Sequence, residues 1–347
     1  MHRAVEVAEF LRLRKEPDWK VIDVRAPGEF GEGHLPNAVN VPLFDDEERK
    51  EVGTLYKQQG RQPAFLRGLE FVGPKLADFV RTAEAISPSR KLLVHCWRGG
   101  MRSSSLATLW AQSGFEVKTL EGGYKAYRKY IREASARPLN IIILGGMTGS
   151  GKTRILKSLA KKGEQIIDLE GLANHKGSSF GTIGELPQGT TEQFENDLFE
   201  KLKVIDPEKT VWIEDESRMI GKIFVPDALW DQMIKSPVIK LEVPKQFRVE
   251  NLVNDYAGGD PQLAEEALLR IAKRMDGKMV KIAIEALHQG DYATTADLAL
   301  AYYDRTYTHS INKKPHHLIF PLPLDHHDAD TTADQLLDMR SQLPSFL

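Results

Sequence analysis

One cysteine, Cys96, is all that this sequence of 347 residues contains. A lone thiol excludes an internal disulfide, a multi-cysteine metal site and a resolving cysteine in the same chain, so any group carried on its sulfur must pass to an outside acceptor. The sequence also has no apolar run long enough to span a membrane, and residues 1–6 lack the apolar core of a secretory signal. We therefore expect a cytoplasmic protein with no membrane partner.

An excess of charge of one sign is missing as well. The net charge is −2, which excludes the global basic field of many nucleic-acid binders but leaves room for local basic patches. Hydrophobic residues make up 41% of the chain and charged residues 28%, so we expect a sizeable buried core. A chain of this length usually forms two domains.

Short apolar runs alternate with helical patterns in the first part of the chain. This alternation predicts parallel strands with crossover helices, an α/β domain over residues 1–134. A polar stretch then indicates a linker, and a new apolar run begins at Leu139. We expect a second α/β domain over residues 135–347 whose C-terminal part is mostly helical. The strands predicted for the first domain are 20–24, 38–42, 92–94 and 117–120, with helices around 74–86 and 103–113.

The cysteine opens a loop of unusual composition directly after an apolar run. Arg98 and Arg102 place two cations near it, and Gly99 and Gly100 allow backbone amides to converge on one point. A helix predicted to follow the loop adds the positive end of its dipole. Because such surroundings favour a thiolate with an anion beside it, we predict a reactive sulfur at Cys96. A buried structural cysteine is the alternative interpretation.

A second motif follows the apolar run that begins at Leu139. Residues 146–153 read Gly-Met-Thr-Gly-Ser-Gly-Lys-Thr, which is the pattern of a phosphate-binding loop between a strand and a helix. Its amides would converge on phosphate oxygens, Lys152 would reach the terminal phosphate, and Thr153 would ligate Mg²⁺ if a metal is used. The pattern does not distinguish ATP from another diphosphate. The candidate phosphate-binding residues are Gly146, Thr148, Gly149, Ser150, Gly151, Lys152 and Thr153.

Carboxylates end two further predicted strands. The apolar run 211–213 leads into three consecutive acidic residues, at the position where phosphate-loop proteins hold Mg²⁺ or a catalytic water. Which of the three acts stays open, and a solvated strand end is the alternative. Another strand ends in an aspartate and a polar, glycine-rich loop, 168–181, which we expect to contact substrate. The candidate acidic and substrate-site residues are Asp168, Glu214, Asp215, Glu216 and Arg218.

The helical C-terminal part has a local concentration of basic residues. We interpret them as one basic helix that would neutralise nucleic-acid phosphates, with a solvated charged face as the alternative. The histidine pairs 316–317 and 326–327 lack the cysteines or spaced carboxylates of a structural zinc site, so we predict no structural zinc. The basic residues are Arg270, Lys273, Arg274, Lys278 and Lys281.

Five motifs of the first domain are informative through their order and spacing, namely residues 23–25, 29–30, 33–42, 96–102 and 121–124. Together they resemble the rhodanese family over about residues 4–132. The resemblance implies a persulfide-type carrier at Cys96, closure of the loop by Arg102, and structural roles for Asp23 and Arg25. The charged segment 44–72 departs from a compact rhodanese and is interpreted as an insertion.

Residues 95–103, 145–153, 168–181 and 212–218, taken together, resemble the bacterial tRNA 2-selenouridine synthase family over the whole chain. This resemblance implies a rhodanese-like domain followed by a P-loop NTPase-like domain. It implies that selenium from selenophosphate replaces the sulfur of 2-thiouridine at the tRNA wobble position. It also implies an S-geranylated intermediate made from geranyl diphosphate, with Cys96 as an S-selanylcysteine. The implied partners are tRNA and an enzyme that supplies selenophosphate, and no firm cofactor follows.

Two other functions stay compatible with the motifs. An ATP-dependent rhodanese-type tRNA sulfurtransferase would use the phosphate loop to activate its acceptor, and ATP turnover that requires Lys152 would favour it. A binding protein with two regulatory modules would keep its function after Cys96→Ser. The intact loop cysteine argues against that second alternative.

Overall fold

The computed structural model describes residues 2–256 and 258–343. The chain divides into two compact units, residues 1–134 and 135–347. The first unit contains β1 (Arg3–Val5), α1 (Val7–Leu13), β2 (Trp19–Asp23), α2 (Pro27–Glu32), β3 (Val39–Asn40), α3 (Asp46–Gln59), α4 (Arg61–Val72), a 3₁₀ turn (Gly73–Lys75), α5 (Leu76–Ile86), β4 (Lys91–His95), α6 (Met101–Gln112), β5 (Glu116–Leu120) and α7 (Gly123–Ser135).

The first unit is built on a five-stranded parallel sheet in the order β1–β5–β4–β2–β3. Both faces of the central strand β4 are buried, since Leu92 and Val94 lie in one core cluster and the intervening Leu93 is equally inaccessible. A strand covered on both faces reads as a continuous apolar run, as found here. The parallel α/β fold predicted for this unit is confirmed.

The segment 44–72 forms two helices, α3 and α4, that meet at Gly60. Asp45 caps α3 by accepting a hydrogen bond from the Glu48 N–H at 2.8 Å, and the Glu48 side chain bonds back to the Asp45 N–H. Gly60 has a φ of +90°, a conformation that favours glycine, and it separates the two helices. The insertion in the sequence is therefore a helical hairpin.

The second unit is a second parallel α/β structure, with helices concentrated after β11. Its elements are β6 (Asn140–Gly146), α8 (Lys152–Lys161), β7 (Gln165–Ile167), α9 (Leu169–Ala173), α10 (Thr191–Leu202), β8 (Thr210–Glu214), β9 (Met219–Ile220), β10 (Ile223–Phe224), α11 (Asp227–Met233), β11 (Val238–Glu242), α12 (Lys245–Tyr256), α13 (Pro261–Ile271), a 3₁₀ turn (Ala272–Arg274), α14 (Gly277–His288), α15 (Tyr292–Ile311), a 3₁₀ turn (His316–Leu318), β12 (Ile319–Pro323) and α16 (Ala329–Arg340).

The sheet of the second unit has the order β12–β11–β6–β8–β7, and β9 and β10 form a separate antiparallel pair. Side chains of β6 alternate between two core clusters: Ile141 and Ile143 pack on one face, Ile142 and Leu144 on the other. The carboxyl ends of β6, β7 and β8 lie at the same edge of this sheet. That edge is where ligands bind in open parallel sheets.

The interpretation of one basic helix over residues 270–281 is wrong. Helix α13 ends at Ile271, Met275 is extended, and Asp276 starts α14 by accepting a hydrogen bond from the Lys278 N–H at 2.8 Å. An aspartate N-cap followed by glycine interrupts the helical pattern, and the sequence contained that signal. The basic residues therefore lie on two helices and the turn between them. In the part of the chain that the structure describes, no helix is both long enough and apolar enough to cross a membrane.

Candidate active sites of the two units

Cys96 lies between the end of β4 and the start of α6, and its side chain is almost completely covered, at 3% exposure. The Cys96 Sγ is 3.3 Å from the Ser103 Oγ, which also donates to the Gly100 carbonyl at 3.1 Å. Ser103, on the first turn of α6, thus holds both the sulfur and the loop. The thiol is placed at the amino end of a 12-residue helix, where the helix dipole favours negative charge.

The start of α7 encloses the other side of this cysteine loop. Tyr124 N–H donates to the Cys96 carbonyl at 2.8 Å, and Lys125 N–H donates to the Trp97 carbonyl at 2.9 Å. Gly123 has a φ of +62°, and a Cβ there would lie 2.4 Å from both the Cys96 carbonyl oxygen and the Gly99 nitrogen. Only glycine fits, which explains the Gly-Gly-Tyr motif twenty-odd residues after the cysteine.

The two arginines of the cysteine loop have different environments. The Arg102 guanidinium binds both carboxylate oxygens of Glu29 on α2, with Nη2 to Oε1 at 3.2 Å. Burial alone would raise the pKa of Glu29, but the hydrogen bonds and charge of Arg102 outweigh it and keep the pKa below its ordinary value. Arg98 is exposed. Arg98 is therefore the loop cation with a free approach for an anion, whereas Arg102 anchors α6 to α2.

A buried ion pair supports the cysteine loop. Arg25 and Asp23 are paired at 2.6 Å with almost no exposure, and the Arg25 guanidinium also donates to the Gly33 carbonyl and lies 3.9 Å above the Tyr124 ring. Burial lowers the pKa of the neighbouring His95, so its ring is neutral at neutral pH. These residues lie under the cysteine loop and hold the elements on either side of it.

The phosphate loop connects β6 to α8. Lys152 Nζ donates to the Gly146 carbonyl at 3.2 Å, and Ser150 N–H donates to the Met147 carbonyl at 3.1 Å. Gly151, with a φ of +80°, directly precedes α8, so the first amides of that helix are available to an anion. The loop geometry has the features that bind a di- or triphosphate.

Two side chains of α12 hold the phosphate loop from the side. Asn251 Nδ2 donates to the Gly149 carbonyl at 2.8 Å, and Arg248 Nη1 donates to the Thr148 carbonyl at 3.3 Å. Arg248 is in turn paired with Asp304 of α15 at 2.7 and 2.9 Å. Arg248 and Asn251 were not predicted, because residues a hundred positions away from a motif give no signal of contact with it.

The three consecutive carboxylates at the end of β8 lie in three environments. Glu214 is buried and accepts a hydrogen bond from the Glu170 N–H at 2.8 Å; burial and the nearby Asp168 raise its pKa to about 8. Asp215 is paired with Lys314 at 2.7 Å. Glu216 hydrogen-bonds to the Glu170 side chain, and burial together with the Glu170 charge raises the pKa of Glu216 well above its ordinary value.

Glu170 contacts a residue of the phosphate-loop motif; it lies in the stretch 168–181 that was expected to contact substrate, but it was not singled out. Its Oε2 accepts a hydrogen bond from the Thr153 hydroxyl at 3.1 Å. Asp168, which was predicted, caps α9 by accepting from the Gly171 N–H at 2.7 Å and so positions Glu170. Arg218 is bound to Asp227 of α11. In the ranges 2–256 and 258–343, no cluster of three His, Cys, Asp or Glu residues is arranged to hold a metal ion.

An apolar cleft borders the phosphate loop on the side of α12. Its volume is about 620 Å³, including the part open to solvent. Thr148 and Ser178 line it together with side chains from α12, α13, α14 and α15. The apolar and aromatic lining residues include Phe180, Leu252, Val253, Tyr256, Pro261, Ala264, Leu287, Tyr292, Ala296, Ala299 and Tyr303.

The predicted basic residues are exposed, and two of them contact residues near this cleft. Arg270 Nη2 donates to the Ser179 carbonyl at 2.8 Å, and Ser179 N–H donates to the Tyr303 hydroxyl at 3.0 Å. Arg274 Nη1 lies 3.4 Å from the Tyr302 hydroxyl. Arg270 thus connects α13 to the glycine-rich loop beside the cleft. The remaining three, Lys273, Lys278 and Lys281, point to solvent with high exposure.

Comparison with known proteins gives a description for each unit. A sequence profile described as a rhodanese-like domain matches residues 6–130, and one described as the tRNA 2-selenouridine synthase AAA domain matches residues 139–266. A protein of Sulfurovum sp. (strain NBC37-1) named tRNA 2-selenouridine synthase is 35% identical, over 86% of this chain and 91% of its own length. A protein of Shewanella piezotolerans with the same name is 36% identical, over 91% and 95%.

A solved structure also matches part of the chain. The rhodanese-related protein from Thermoplasma volcanium is 19% identical over 37% of this chain and 93% of that chain, with a TM-score of 0.24.

Proposed function

The chain belongs to the tRNA 2-selenouridine synthase family, and from that premise we propose that it converts 2-thiouridine at the wobble position of tRNA to 2-selenouridine. It is therefore an enzyme that acts on tRNA. The selenium donor in this proposal is selenophosphate, delivered by the enzyme that makes it, and the second substrate is geranyl diphosphate. The family and the cysteine and phosphate-loop geometries support the proposal.

The first proposed step alkylates the thiouridine sulfur. The sulfur attacks C1 of geranyl diphosphate, an S–C bond forms, the C–O bond to the diphosphate breaks, and the base loses its N–H proton. Lys152 and the first amides of α8 would stabilise the departing diphosphate. If Mg²⁺ accompanies the diphosphate, Thr153 and Glu170 offer the hard oxygen ligands that this ion prefers, and the ion would neutralise the leaving charge.

The second proposed step replaces the alkylated sulfur by selenium. Alkylation matters because geranylthiol leaves C2 as a neutral product after protonation, whereas an unmodified sulfur leaves poorly. The net reaction consumes 2-thiouridine, geranyl diphosphate, selenophosphate and water, and it releases 2-selenouridine, geranylthiol, phosphate and diphosphate. Selenium keeps its oxidation state overall, so no net electrons are needed.

Cys96 is the proposed selenium carrier within that second step. Forming the S–Se bond of an S-selanylcysteine oxidises selenium by two electrons, which a disulfide accepts, and a thiol returns them when selenium is released to the base. The observation that carries the proposal is the position of this sulfur, the only one from cysteine in the chain, at the amino end of α6 inside a loop that Gly123 keeps compact. Arg98, exposed on the same loop, would attract the selenophosphate dianion.

The test is mass spectrometry of a 2-thiouridine anticodon stem-loop incubated with the protein, first with geranyl diphosphate and then with selenophosphate and a mixture of a thiol and its disulfide, without ATP. We expect the S-geranyl product first and the selenium product second. Cys96→Ser should abolish the selenium product and spare geranylation, and Lys152→Ala should reduce geranylation. Product that forms only with ATP would replace this proposal with the ATP-dependent sulfurtransferase.

A further inference from the structure

The apolar cleft of the second unit reaches the phosphate loop. Thr148, a residue of the loop, also lines the cleft, and the adjacent Gly149 is held by Asn251. A phosphate group bound in the loop would therefore lie beside one end of the cleft. We propose that the cleft binds the hydrocarbon chain of a prenyl diphosphate and limits the chain length that the protein accepts. This inference rests on the proposed function and adds the place of the chain and a determinant of its length.

Several polar groups that line the cleft already have partners within the protein. The Thr295 hydroxyl donates to a main-chain carbonyl of α14 at 3.2 Å, the Tyr303 hydroxyl accepts from the Ser179 N–H at 3.0 Å, and the Asp260 carboxylate caps α13. Most of what remains for a ligand is carbon surface. A nucleoside would bury its own polar groups there without partners, at a high cost, whereas a hydrocarbon has none to satisfy.

The contacts of helix α15 show which end of the cleft is near the phosphate loop. Asp304 lies at the phosphate end, because it is paired with Arg248, which donates to the Thr148 carbonyl. Residues of α15 that precede Asp304 lie progressively farther from the phosphate loop, since a helix rises about 1.5 Å per residue. By that rise the lining residues Tyr303, Ala299, Ala296 and Tyr292 are about 1.5, 7.5, 12 and 18 Å from the level of Asp304.

Two small residues lie between two large ones along this line, which suggests where the chain passes and where it stops. Ala299 and Ala296 leave space in the middle of the cleft, and Tyr292, at the first position of α15, stands at the far end. A larger side chain at either alanine would shorten the space available. A smaller one at Tyr292 would lengthen it.

The first experiment measures binding to the full chain by titration calorimetry, with geranyl diphosphate and inorganic pyrophosphate as the two probes. We expect the wild-type protein to bind geranyl diphosphate about tenfold or more tightly than pyrophosphate, because the chain is buried. Ala296→Phe should abolish this preference and leave pyrophosphate binding unchanged. Ala293→Phe is the matched control, since Ala293 is exposed on the same helix and does not line the cleft.

The second experiment measures donor choice in the alkylation of the 2-thiouridine stem-loop. Dimethylallyl, geranyl and farnesyl diphosphates supply chains of five, ten and fifteen carbons. We expect Ala299→Phe to keep the five-carbon donor and lose the ten-carbon donor, and Tyr292→Ala to gain the fifteen-carbon donor. Ala299 is buried, so the melting temperature of its variant is checked, and the half-exposed Ala296 provides the same test at a more tolerant position.

The results separate this inference from the proposed function. The inference is overturned if Ala296→Phe shows the same affinities for the two probes as Ala293→Phe and if no cleft variant changes which donor is used. This holds even if the wild-type protein geranylates thiouridine. A cleft-dependent preference for geranyl diphosphate without alkylation by any donor would uphold the cleft as a prenyl site and overturn the proposed function.

Discussion

Adjacent acidic residues at the end of β8 differ in their chemistry because their surroundings differ, and Glu214 is an example. It is the last residue of β8 and is turned into the protein, where its Oε1 accepts the Glu170 N–H. The pKa of Glu214 is raised to about 8, first by burial and then by the charge of Asp168. Its protonation state is therefore coupled to the stability of the second unit near neutral pH.

We predict that Glu214→Gln removes a pH-dependent loss of stability. An unfolded glutamate releases its proton near the ordinary pKa of 4.5, whereas folded Glu214 keeps it up to a pKa of about 8. Between these values the unfolded chain binds fewer protons, so the free energy of unfolding falls as pH rises, by up to about 1.4 kcal/mol per pH unit. Above the folded pKa the loss is complete, and below the unfolded pKa it is absent.

The measurement is urea unfolding of wild type and Glu214→Gln near pH 5 and near pH 8. Glutamine keeps an oxygen for the Glu170 N–H but carries no titrating proton, so the stability advantage of the variant should be larger near pH 8. An equal difference at both pH values would contradict the assignment of a raised pKa to Glu214.

Single residues also mark how far the sequence predicts the sites. Cys96 and Lys152 can be identified from the sequence because each belongs to a local motif, whose residues are close in space since they share one loop. Glu170 and Arg248 cannot, since their contacts with Thr153 and Thr148 join separate elements. Spacing predicts contacts within a loop or a helix turn, and it carries no information on which distant side chain completes a site.

At the scale of elements, the packing of α7 against the cysteine loop depends on one glycine. A methyl group at Gly123 would lie 2.4 Å from the Cys96 carbonyl oxygen and the Gly99 nitrogen, and the φ of +62° is strained for other residues. Gly114, which follows α6, has a similarly positive φ of +89°, but a Cβ there would meet only the Arg90 guanidinium at an ordinary 3.5 Å.

We predict that Gly123→Ala destabilises the first unit more than Gly114→Ala does. Both variants carry the backbone strain of about 1–2 kcal/mol, and only Gly123→Ala adds a steric clash, for a total of about 3 kcal/mol or more. Chemical unfolding measures the difference. Selenium transfer should be lost in Gly123→Ala and retained in Gly114→Ala. Equal losses of stability would mean that α7 does not clamp the loop.

Elements differ in how well the sequence predicts them. The strands β4 and β6 follow from apolar runs, because a parallel strand buried on both faces has no polar position to interrupt it. The short edge strand β1 (Arg3–Val5) was not predicted, since three residues show no period. The break between α13 and α14 was also missed, although Asp276 and Gly277 form a helix start signal there. The basic composition of that segment outweighed the capping signal in the interpretation.

At the scale of the whole molecule, the two units have separate sheets and separate hydrophobic cores. One core cluster of the first unit includes Leu92 and Trp110, and those of the second unit include Ile143 and Trp212. The phosphate loop belongs entirely to the second unit. A ligand of that loop should therefore stabilise one unit and not the other.

We predict two transitions in differential scanning calorimetry, of which only one moves when inorganic pyrophosphate is added. A ligand at a hundred times its dissociation constant adds about 2.7 kcal/mol to the unit that binds it. Lys152→Ala should remove the shift and leave the other transition where it is. A single transition, or two that move together, would show that the units do not unfold independently.

The fold types of the two units were the features that the sequence predicted best. Two parallel α/β folds of the rhodanese and phosphate-loop types were predicted and are confirmed, because each is fixed by several local signals in a required order. The cleft between α12 and α15 was inaccessible, because its walls come from four helices. No window of sequence contains residues such as Thr148, Leu252 and Ala299 together.

Because Cys96 is the only cysteine, the wild-type protein can be labelled at one known position. A maleimide dye can attach at only one cysteine side chain of known position, without any substitution, so the mass of the labelled protein would show whether that sulfur was free or carried selenium. At 3% exposure the sulfur is shielded by the surrounding loop, so the rate of dye attachment should report how often that loop opens. The state of this sulfur and the accessibility of its loop can thus be read from one atom in the wild-type protein.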